Sequence, residues 1–307
     1  MRQAIIGAVF WALGPGPEGA ALACGADSDC RLGARHYRIA LPEAAAPRGA
    51  VVYAHGYRGT AAGVMRNTAL RRALSEQGLA LIALKSLTDD WVIPHAPGHP
   101  DATGQEEIAH VRAVVADAAR RFGIDERRLV AAGFSSGGMM VWTLACARPG
   151  QFAGFIAVAG TFWQGPPETC ARPPASLVHI HGTSDPTVPL SGRAIRETWQ
   201  GDVRAVLTFY SRFGGFEAAG SLERGDLSCT LRRSPAGAIL DFCLHPGGHS
   251  FRSAYLLFAL DRLRAAGAAT PLTVQLPGVD RVQSAAPLPT RVSISAKAPK
   301  TMPVPHS

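Results

Sequence analysis

Short apolar runs alternate along the chain with longer segments in which hydrophobic residues recur at helical spacing. The apolar runs predict strands that are buried on both faces, because they contain no polar alternation. They cover residues 50–54, 79–84, 129–132, 155–159 and 177–180. Helices are predicted over residues 62–76, 106–121, 138–147 and 254–265, and from 191 onward. Antiparallel strands are predicted at residues 37–41 and in a hairpin over residues 229–243. Such alternation predicts an α/β fold with a mostly parallel central sheet and helices on both faces.

The periodic pattern stops near Ala268, and residues 270–307 are rich in Pro, Ser, Ala and Val without any Phe, Trp or Tyr. A segment of this composition has little apolar surface with which to build a core. We therefore expect one folded domain over residues 24–267, followed by a disordered or loosely attached tail over residues 268–307. A short added strand near residues 291–294 is the alternative.

The amino terminus has the features of an export signal. Arg2 precedes an apolar run over residues 4–13, which is too short to span a bilayer but typical of a secretory signal. Residues 21–23 are Ala-Leu-Ala, which suits cleavage by a signal peptidase before Cys24. We therefore predict a signal peptide over residues 1–23 and a secreted or periplasmic protein. One alternative is a buried N-terminal strand or helix. The other is a lipid anchor on Cys24, but a lipid-attachment motif usually has Leu three residues before the cysteine followed by a small residue, and here Ala21 and Leu22 stand in the opposite order.

The six cysteines form no C-x-x-C metal pair, and an oxidising compartment favours joining them in disulfides. One pairing joins cysteines that lie near each other in the sequence. Cys24 and Cys30 would close a short loop, Cys229 and Cys243 would bridge the predicted hairpin, and Cys146 and Cys170 are then left to pair. Six cysteines allow about fifteen connectivities, so this pairing is a hypothesis.

Composition and charge exclude several classes of protein. Of the 307 residues, 47% are hydrophobic and 18% are charged, which is typical of a folded globular protein. The formal charge of +8 comes almost wholly from scattered arginines, since the only lysines are Lys85, Lys297 and Lys300. No basic stripe with interleaved aromatic residues is present, so we predict no nucleic-acid partner. The composition also excludes a polytopic membrane protein, and we predict no stable membrane span.

A serine in a glycine-rich turn follows one predicted strand and opens a predicted helix. Residues 133–138 are Gly-Phe-Ser-Ser-Gly-Gly. In a nucleophile elbow the residues that flank the serine need almost no side chain, because the turn from strand to helix is very tight. The motif therefore predicts that Ser135 is a nucleophile raised above the carboxyl edge of the sheet. A Gly/Ser turn at an ordinary helix N-cap is the alternative.

A serine hydroxyl needs a base within hydrogen-bond reach, and the base needs an acid that orients it. Asp185 follows the fifth predicted strand and is expected at the same sheet edge as Ser135. His249 lies in a Gly-rich loop before the last predicted helix and is the predicted base. The rivals are Asp241, which lies inside a strand pattern, and His245, which precedes the flexible turn. The non-catalytic alternatives are a helix-cap role for Asp185 and a surface position for His249.

The oxyanion of a tetrahedral intermediate needs two hydrogen-bond donors. We predict the backbone N–H groups of Ser136, which follows the nucleophile, and of Tyr57, in the Gly-rich loop after the first parallel strand. An ordinary Gly-rich turn is the alternative for the second donor. His95 and His99 have a zinc-ligand spacing, but the Pro-Gly pair between them prevents the helix that would align them, so no metal site is predicted.

Four motifs occur in a fixed order: Tyr-Ala-His-Gly-Tyr at 53–57, Ala-Gly-Phe-Ser-Ser-Gly-Gly-Met-Met at 132–140, His-Ile-His-Gly-Thr-Ser-Asp at 179–185 and Gly-Gly-His-Ser at 247–250. Together they resemble those of secreted polyhydroxybutyrate depolymerases and the related feruloyl and acetylxylan esterases, all of which are α/β-hydrolases. The resemblance implies a triad of Ser135, Asp185 and His249 that needs no metal or organic cofactor. Relatives often carry cysteines at the places of Cys146 and Cys170, which supports joining that pair.

The resemblance implies a secreted serine esterase that acts on hydroxybutyrate oligomers or polymer, or on feruloyl or acetyl esters. Extracellular depolymerases of crystalline polymer usually carry a separate substrate-binding domain, which the tail here is too short to form. This departure favours soluble oligomers or small aryl and acetyl esters. Trp91 and Trp163 each follow a strand at the active edge and are predicted to wall an acyl or aromatic pocket, with burial in the core as the alternative. The alternative functions are a serine peptidase of the prolyl-oligopeptidase type, and a non-catalytic surface protein that retains the fold.

Overall fold

The computed structural model of this chain describes residues 24–267, and the predicted signal peptide and tail lie outside the described residues. The strands are β1 (Cys30–Leu32), β2 (Arg35–Ala40), β3 (Ala50–Ala54), β4 (Ala80–Leu84), β5 (Leu129–Phe134), β6 (Gly154–Val158), β7 (Leu177–Gly182), β8 (Arg193–Ile195), β9 (Thr198–Gln200), β10 (Glu217–Arg224), β11 (Leu227–Arg233) and β12 (Ile239–His245). The helices are α1 (Ala61–Met65), α2 (Thr68–Glu76), α3 (Gln105–Phe122), α4 (Ser136–Ala147), α5 (Val203–Gly214) and α6 (Ser253–Ala265).

Most of these strands form one large sheet in the order β1-β2-β4-β3-β5-β6-β7-β12-β11-β10. The six central strands, β4-β3-β5-β6-β7-β12, are parallel to one another. In contrast, β1, β2, β10 and β11 are antiparallel additions at the two edges. The predicted mostly parallel α/β sheet is therefore confirmed, and the carboxyl ends of β3, β5 and β7 share one edge.

Helices cover both faces of the sheet because its parallel strands bury side chains on both sides. One hydrophobic cluster packs α3, α4 and α5 against strand residues such as Val52 and Phe155. A second cluster packs α1, α2 and α6 against strand residues such as Val51 and Ile156. Consecutive residues of one strand thus belong to opposite cores, which explains why these strands show no polar alternation.

Two helix predictions differ from the structure. Residues 62–76 form α1 and α2 rather than one helix, because the Asn67 side chain caps a new helix there. The helix expected from residue 191 onward is wrong at its start, since residues 193–200 form the β8–β9 hairpin and α5 begins only after its N-cap, Asp202. Strand β10 was not predicted, because its residues are mostly polar or small and exposed. Among the described residues, no helix is long and apolar enough to cross a membrane.

The structure joins the cysteines in the three pairs that the sequence analysis put forward: Cys24–Cys30, Cys146–Cys170 and Cys229–Cys243. Cys229 and Cys243 stand directly opposite each other on β11 and β12, so that this bond crosses the hairpin. Within residues 24–267 no free cysteine remains.

Candidate active site

Ser135 occupies the tight turn between the end of β5 and the start of α4. Its backbone has φ 59° and ψ −125°, a conformation that non-glycine residues rarely adopt and that costs about 1–3 kcal/mol. The Ser135 N–H is held by the carbonyl oxygen of Val158 on β6, at 2.8 Å. The turn thus presents the serine side chain at the carboxyl edge of the sheet and at the positive end of α4.

The glycines around Ser135 allow α4 to approach the neighbouring strand closely. A Cβ atom at Gly137 would lie only 2.0 Å from the carbonyl oxygen of Ala54 at the end of β3. A side chain there would push the first turn of the helix away from the sheet. A glycine at position 137 is therefore a steric requirement of this elbow.

His249 links Ser135 to Asp185. Its Nε2 lies 2.9 Å from Ser135 Oγ, and its Nδ1 lies 2.7 Å from Asp185 Oδ2. The carboxylate only accepts hydrogen bonds, so Nδ1 carries the proton and Nε2 accepts from the serine hydroxyl. The structure thus brings together three residues that are separated by up to 114 positions in the chain. This arrangement suits proton transfer from Ser135 to His249.

The Asp185 carboxylate is fully buried, and both of its oxygens accept hydrogen bonds. Its Oδ1 accepts from the N–H groups of Thr187 at 2.8 Å and Val188 at 2.9 Å, and its Oδ2 accepts from His249. Burial raises the pKa of Asp185, but the hydrogen bonds from His249, Val188 and Thr187 outweigh it, so the pKa lies below its ordinary value. The carboxyl group is therefore ionised near neutral pH and stabilises a positive charge on His249.

A chain of buried side chains supports the turn that carries Asp185. Trp142 Nε1 donates to His179 Nδ1 at 3.1 Å, and His179 Nε2 lies 2.9 Å from His181 Nδ1. His181 Nε2 then donates to the carbonyl oxygen of Val188 at 2.7 Å. From the sequence these two histidines are expected to be structural or solvated, and only the folded structure shows that they form this chain.

Asp241 and His245, the alternative candidates for the catalytic acid and base, have other partners. Asp241 is buried, and its Oδ2 accepts from Arg262 Nε on α6 at 2.8 Å. His245 is buried against the ring of Tyr255, with its Nδ1 accepting from the N–H of Gly247 at 3.1 Å. Each side chain is thus engaged in packing α6 or its preceding loop against the sheet.

The loop after β3 lies directly beside the serine. A Cβ at Gly56 would lie 3.5 Å from the Cβ of Ser135, so that the backbone passes at van der Waals distance. Among residues 24–267, the backbone N–H groups of Tyr57 and Ser136 donate to no backbone acceptor. Both are therefore available to a ligand, and their role as oxyanion donors stays a prediction. The Tyr57 side chain itself is 55% exposed.

The two tryptophans differ in position. Trp91 is fully buried, its ring packs on His55 with the centroids 5.0 Å apart, and its Nε1 donates to the His55 carbonyl at 2.8 Å. The prediction that Trp91 walls a pocket is therefore wrong, because a ring sealed in the core presents no surface to a ligand. Trp163 lines a cavity of about 260 Å³ together with Phe162 and Ile93. Its assignment to the substrate pocket stays a prediction.

Two acidic residues at the site were missed by sequence reasoning. Glu107 on α3 is fully buried, and its Oε1 accepts from the N–H groups of Leu87 at 2.9 Å and Val92 at 3.2 Å, which pins the loop after β4. Asp90 in that loop accepts a hydrogen bond from the hydroxyl of Ser136. Asp90 had a detectable signal, since it follows a parallel strand at the active edge. Glu107 had none, because it resembles an ordinary acidic residue in the first turn of a helix.

Known proteins match this chain over parts of its length. A family model described as Phospholipase/Carboxylesterase matches residues 101–200. NocK of Nocardia uniformis subsp. tsuyamanensis, a protein with an esterase name, is 32% identical over 162 residues, which are 53% of this chain and 46% of NocK. Feruloyl esterase C of Emericella nidulans is 33% identical over 92 residues, which are 29% of this chain and 33% of that protein. The matches thus span less than half the length of these curated relatives.

Solved structures share the fold at low sequence identity. An acetyl xylan esterase from Aspergillus awamori is similar over 74% of this chain and 93% of its own, with a TM-score of 0.55 and 14% identity. A Bacillus cereus carboxylesterase is similar over 76% of this chain and 94% of its own, with a TM-score of 0.51 and 11% identity. The chain therefore has the α/β-hydrolase fold, and its sequence relatives include proteins named as esterases and feruloyl esterases.

Proposed function

We propose that this protein is a serine esterase that hydrolyses carboxylic esters through an acyl-enzyme. The observation that supports this most directly is the pair of contacts made by His249, at 2.9 Å to Ser135 Oγ and at 2.7 Å to Asp185 Oδ2. A hydroxyl, an imidazole and a buried carboxylate in this order are the groups that acyl transfer by a serine needs. The esterase names of its relatives agree with the proposal.

In the proposed reaction the Ser135 oxygen attacks the ester carbonyl carbon while His249 Nε2 takes the hydroxyl proton. Asp185 stabilises the resulting imidazolium, and the N–H groups of Tyr57 and Ser136 donate to the oxyanion. Collapse of the tetrahedral intermediate breaks the bond to the alcohol, which leaves with the proton from His249. Water then attacks the acyl-enzyme, His249 takes its proton, and the acid is released with the serine restored.

The proposed substrates are small aryl or acetyl esters, or soluble hydroxybutyrate oligomers. The feruloyl esterase names of sequence relatives favour the aryl esters, and the cavity beside Trp163 is apolar enough for a small acyl or aromatic group. We also propose that the enzyme works in a secreted or periplasmic location, since three disulfides close within residues 24–267.

Hydrolysis of p-nitrophenyl acetate and p-nitrophenyl butyrate tests the proposal. We expect the purified protein to release p-nitrophenol and Ser135→Ala to lose about 10³-fold or more in kcat/KM. Ser221→Ala on the exposed strand β10 is the matched control and should keep the parent rate. Equal rates in the parent and Ser135→Ala would remove Ser135 as the nucleophile. Methyl ferulate, acetylated xylan and a hydroxybutyrate oligomer then separate the substrate classes.

A further inference from the structure

The segment Asp89–Trp91, which follows β4, contacts both loops that supply the predicted oxyanion donors. The Asp89 carbonyl accepts from the N–H of Arg58 at 2.7 Å, and Trp91 Nε1 donates to the carbonyl of His55 at 2.8 Å. These two contacts hold the loop that contains Tyr57. On the other side, the Asp90 carboxylate accepts from the Ser136 hydroxyl. One short segment is therefore bonded to both halves of the predicted oxyanion hole.

The Asp90 carboxylate is held in place by its own neighbours. Its Oδ1 also accepts from the N–H of Trp91 at 2.8 Å. The Thr88 hydroxyl donates to the Asp90 carbonyl at 2.9 Å and accepts from the Asp90 N–H at 3.2 Å. Beneath this turn, Glu107 binds the N–H groups at both ends of the loop. Because the Asp90 carboxylate is held in one orientation, it can hold the Ser136 hydroxyl that donates to it in one orientation as well.

The surroundings of Asp90 disfavour its ionised form. Burial raises the pKa of Asp90, and within the described residues no Lys or Arg forms a salt bridge with it. Of the groups around it, His99 favours the ionised form and Glu107 opposes it. The nearby Lys85 ammonium donates instead to Ser86 and Thr88. A partly buried carboxylate without a Lys or Arg partner, bonded to the residue that follows the candidate nucleophile, indicates a functional constraint on that position.

We propose that Asp90 is a positioning residue for the oxyanion hole, which acts by anchoring the side chain of Ser136. This inference rests on the proposed esterase function. Ser136 is the first residue of α4, so its N–H has no partner within the helix, and its direction depends on rotation of the peptide group that joins it to Ser135. The contact between Ser136 Oγ and Asp90 restricts that rotation, and the contact between Asp89 and Arg58 keeps the facing donor loop in register.

The test compares kcat and KM for p-nitrophenyl acetate in three single variants and one double variant. Asp90→Ala removes the anchor and should lower kcat about 10- to 100-fold with KM changed less than about twofold, because the oxyanion exists only beyond the ground state. Asp90→Asn keeps an acceptor oxygen for Ser136 and should keep kcat within about threefold of the parent. Ser136→Ala should reproduce the loss of Asp90→Ala, and the double variant should lose no more than either single one.

A transition-state analogue separates positioning from general loosening of the fold. An aryl trifluoromethyl ketone forms a serine adduct with an oxyanion, so its inhibition constant should rise in Asp90→Ala in parallel with the loss of kcat. Asp261→Asn, an exposed carboxylate on α6, is the charge-matched control and should change neither quantity. Thermal unfolding of each variant is measured as well. If Asp90→Ala does not fold, the kcat values of Ser136→Ala and Asp90→Asn decide whether Asp90 positions the oxyanion hole.

Two results would overturn the inference, and they point to different failures. If Ser135→Ala is inactive but Asp90→Ala and Ser136→Ala both keep kcat within twofold of the parent, the esterase proposal stands and Asp90 has no positioning role. If Ser135→Ala keeps the parent rate, the esterase proposal fails and the role of Asp90 fails with it.

Discussion

His179 Nε2 lies 2.9 Å from His181 Nδ1 beneath the turn that holds Asp185, and the bonds on either side determine which nitrogen of each ring carries a proton. Trp142 Nε1 only donates, so His179 Nδ1 must accept and His179 Nε2 must carry the proton. The Val188 carbonyl only accepts, so His181 Nε2 carries the proton and His181 Nδ1 accepts. Burial lowers the pKa of both histidines, which agrees with two neutral rings.

Replacing His181 tests this chain. His181→Phe leaves the His179 N–H and the Val188 carbonyl without partners, so we expect the free energy of unfolding to fall by about 2–4 kcal/mol. Because the Val188 N–H also binds Asp185, kcat/KM should fall about tenfold in the fraction that remains folded. Urea unfolding and p-nitrophenyl acetate hydrolysis measure the two effects. His181→Gln keeps a hydrogen-bond donor and should lose less stability and less activity than His181→Phe. Equal losses in the two variants would contradict the hydrogen-bond chain from Trp142 to Val188.

The second prediction concerns the acid that orients His249. Asp185→Asn presents an amide donor to His249 Nδ1 and favours the tautomer that cannot accept from Ser135, so kcat should fall about 10³- to 10⁴-fold. Asp241→Asn is a matched control, because Asp241 is equally buried but is paired with Arg262. That variant should lose stability and keep kcat. A loss of kcat in Asp241→Asn together with an active Asp185→Asn would reverse the assignment of the acid.

A third prediction follows from the packing of the elbow. Gly137→Ala places a Cβ 2.0 Å from the Ala54 carbonyl, so the first turn of α4 must move and hydrolysis should fall at least about 100-fold. Gly150→Ala is the control, since a Cβ at Gly150 has no other atom within 4 Å. We expect the control to keep both its activity and its melting temperature. If Gly137→Ala is as active as Gly150→Ala, close approach of α4 to β3 is not required.

The fourth prediction is a loss of stability in acid that comes from buried histidines. Burial lowers the pKa of His55 and of His110 to about 4. In the unfolded chain these groups titrate near 6.5, so the unfolded state takes up protons first as the pH falls. Their contribution to stability is therefore complete above pH 6.5 and is lost between pH 6.5 and 4, at up to about 1.4 kcal/mol per pH unit for each histidine.

Urea unfolding at pH 8, 6.5, 5.5 and 4.5 measures this dependence. His110→Gln removes one of the titrating groups and should give a shallower slope below pH 6.5. Ser221→Ala, which changes no titrating group and lies on the exposed strand β10, is the comparison and should give the parent slope. An unchanged slope in His110→Gln would mean that this histidine is not held neutral by burial.

Much of the architecture and of the candidate site could be predicted from local features. Unbroken apolar runs at residues 50–54 and 129–132 predict strands with two buried faces, and the glycines around Ser135 favour a tight strand-to-helix turn. The chain order of Ser135, Asp185 and His249 is the one that the resemblance to α/β-hydrolases implies, and the parallel sheet explains why the three residues share one edge. These conclusions depend on covalent geometry and periodicity, which are properties of short segments.

Other features depended on the tertiary structure. Trp91 has the same side chain whether it lines a pocket or a core, and only the folded structure shows that it is buried. The acid Glu107 binds backbone groups of a loop about 15 to 20 positions earlier in the chain, and Asp90 binds Ser136, 46 positions away. Sequence determined the central parallel strands and which residues can react. Folding decided which polar groups meet, because hydrogen bonds between distant loops depend on how helices pack against both faces of the sheet.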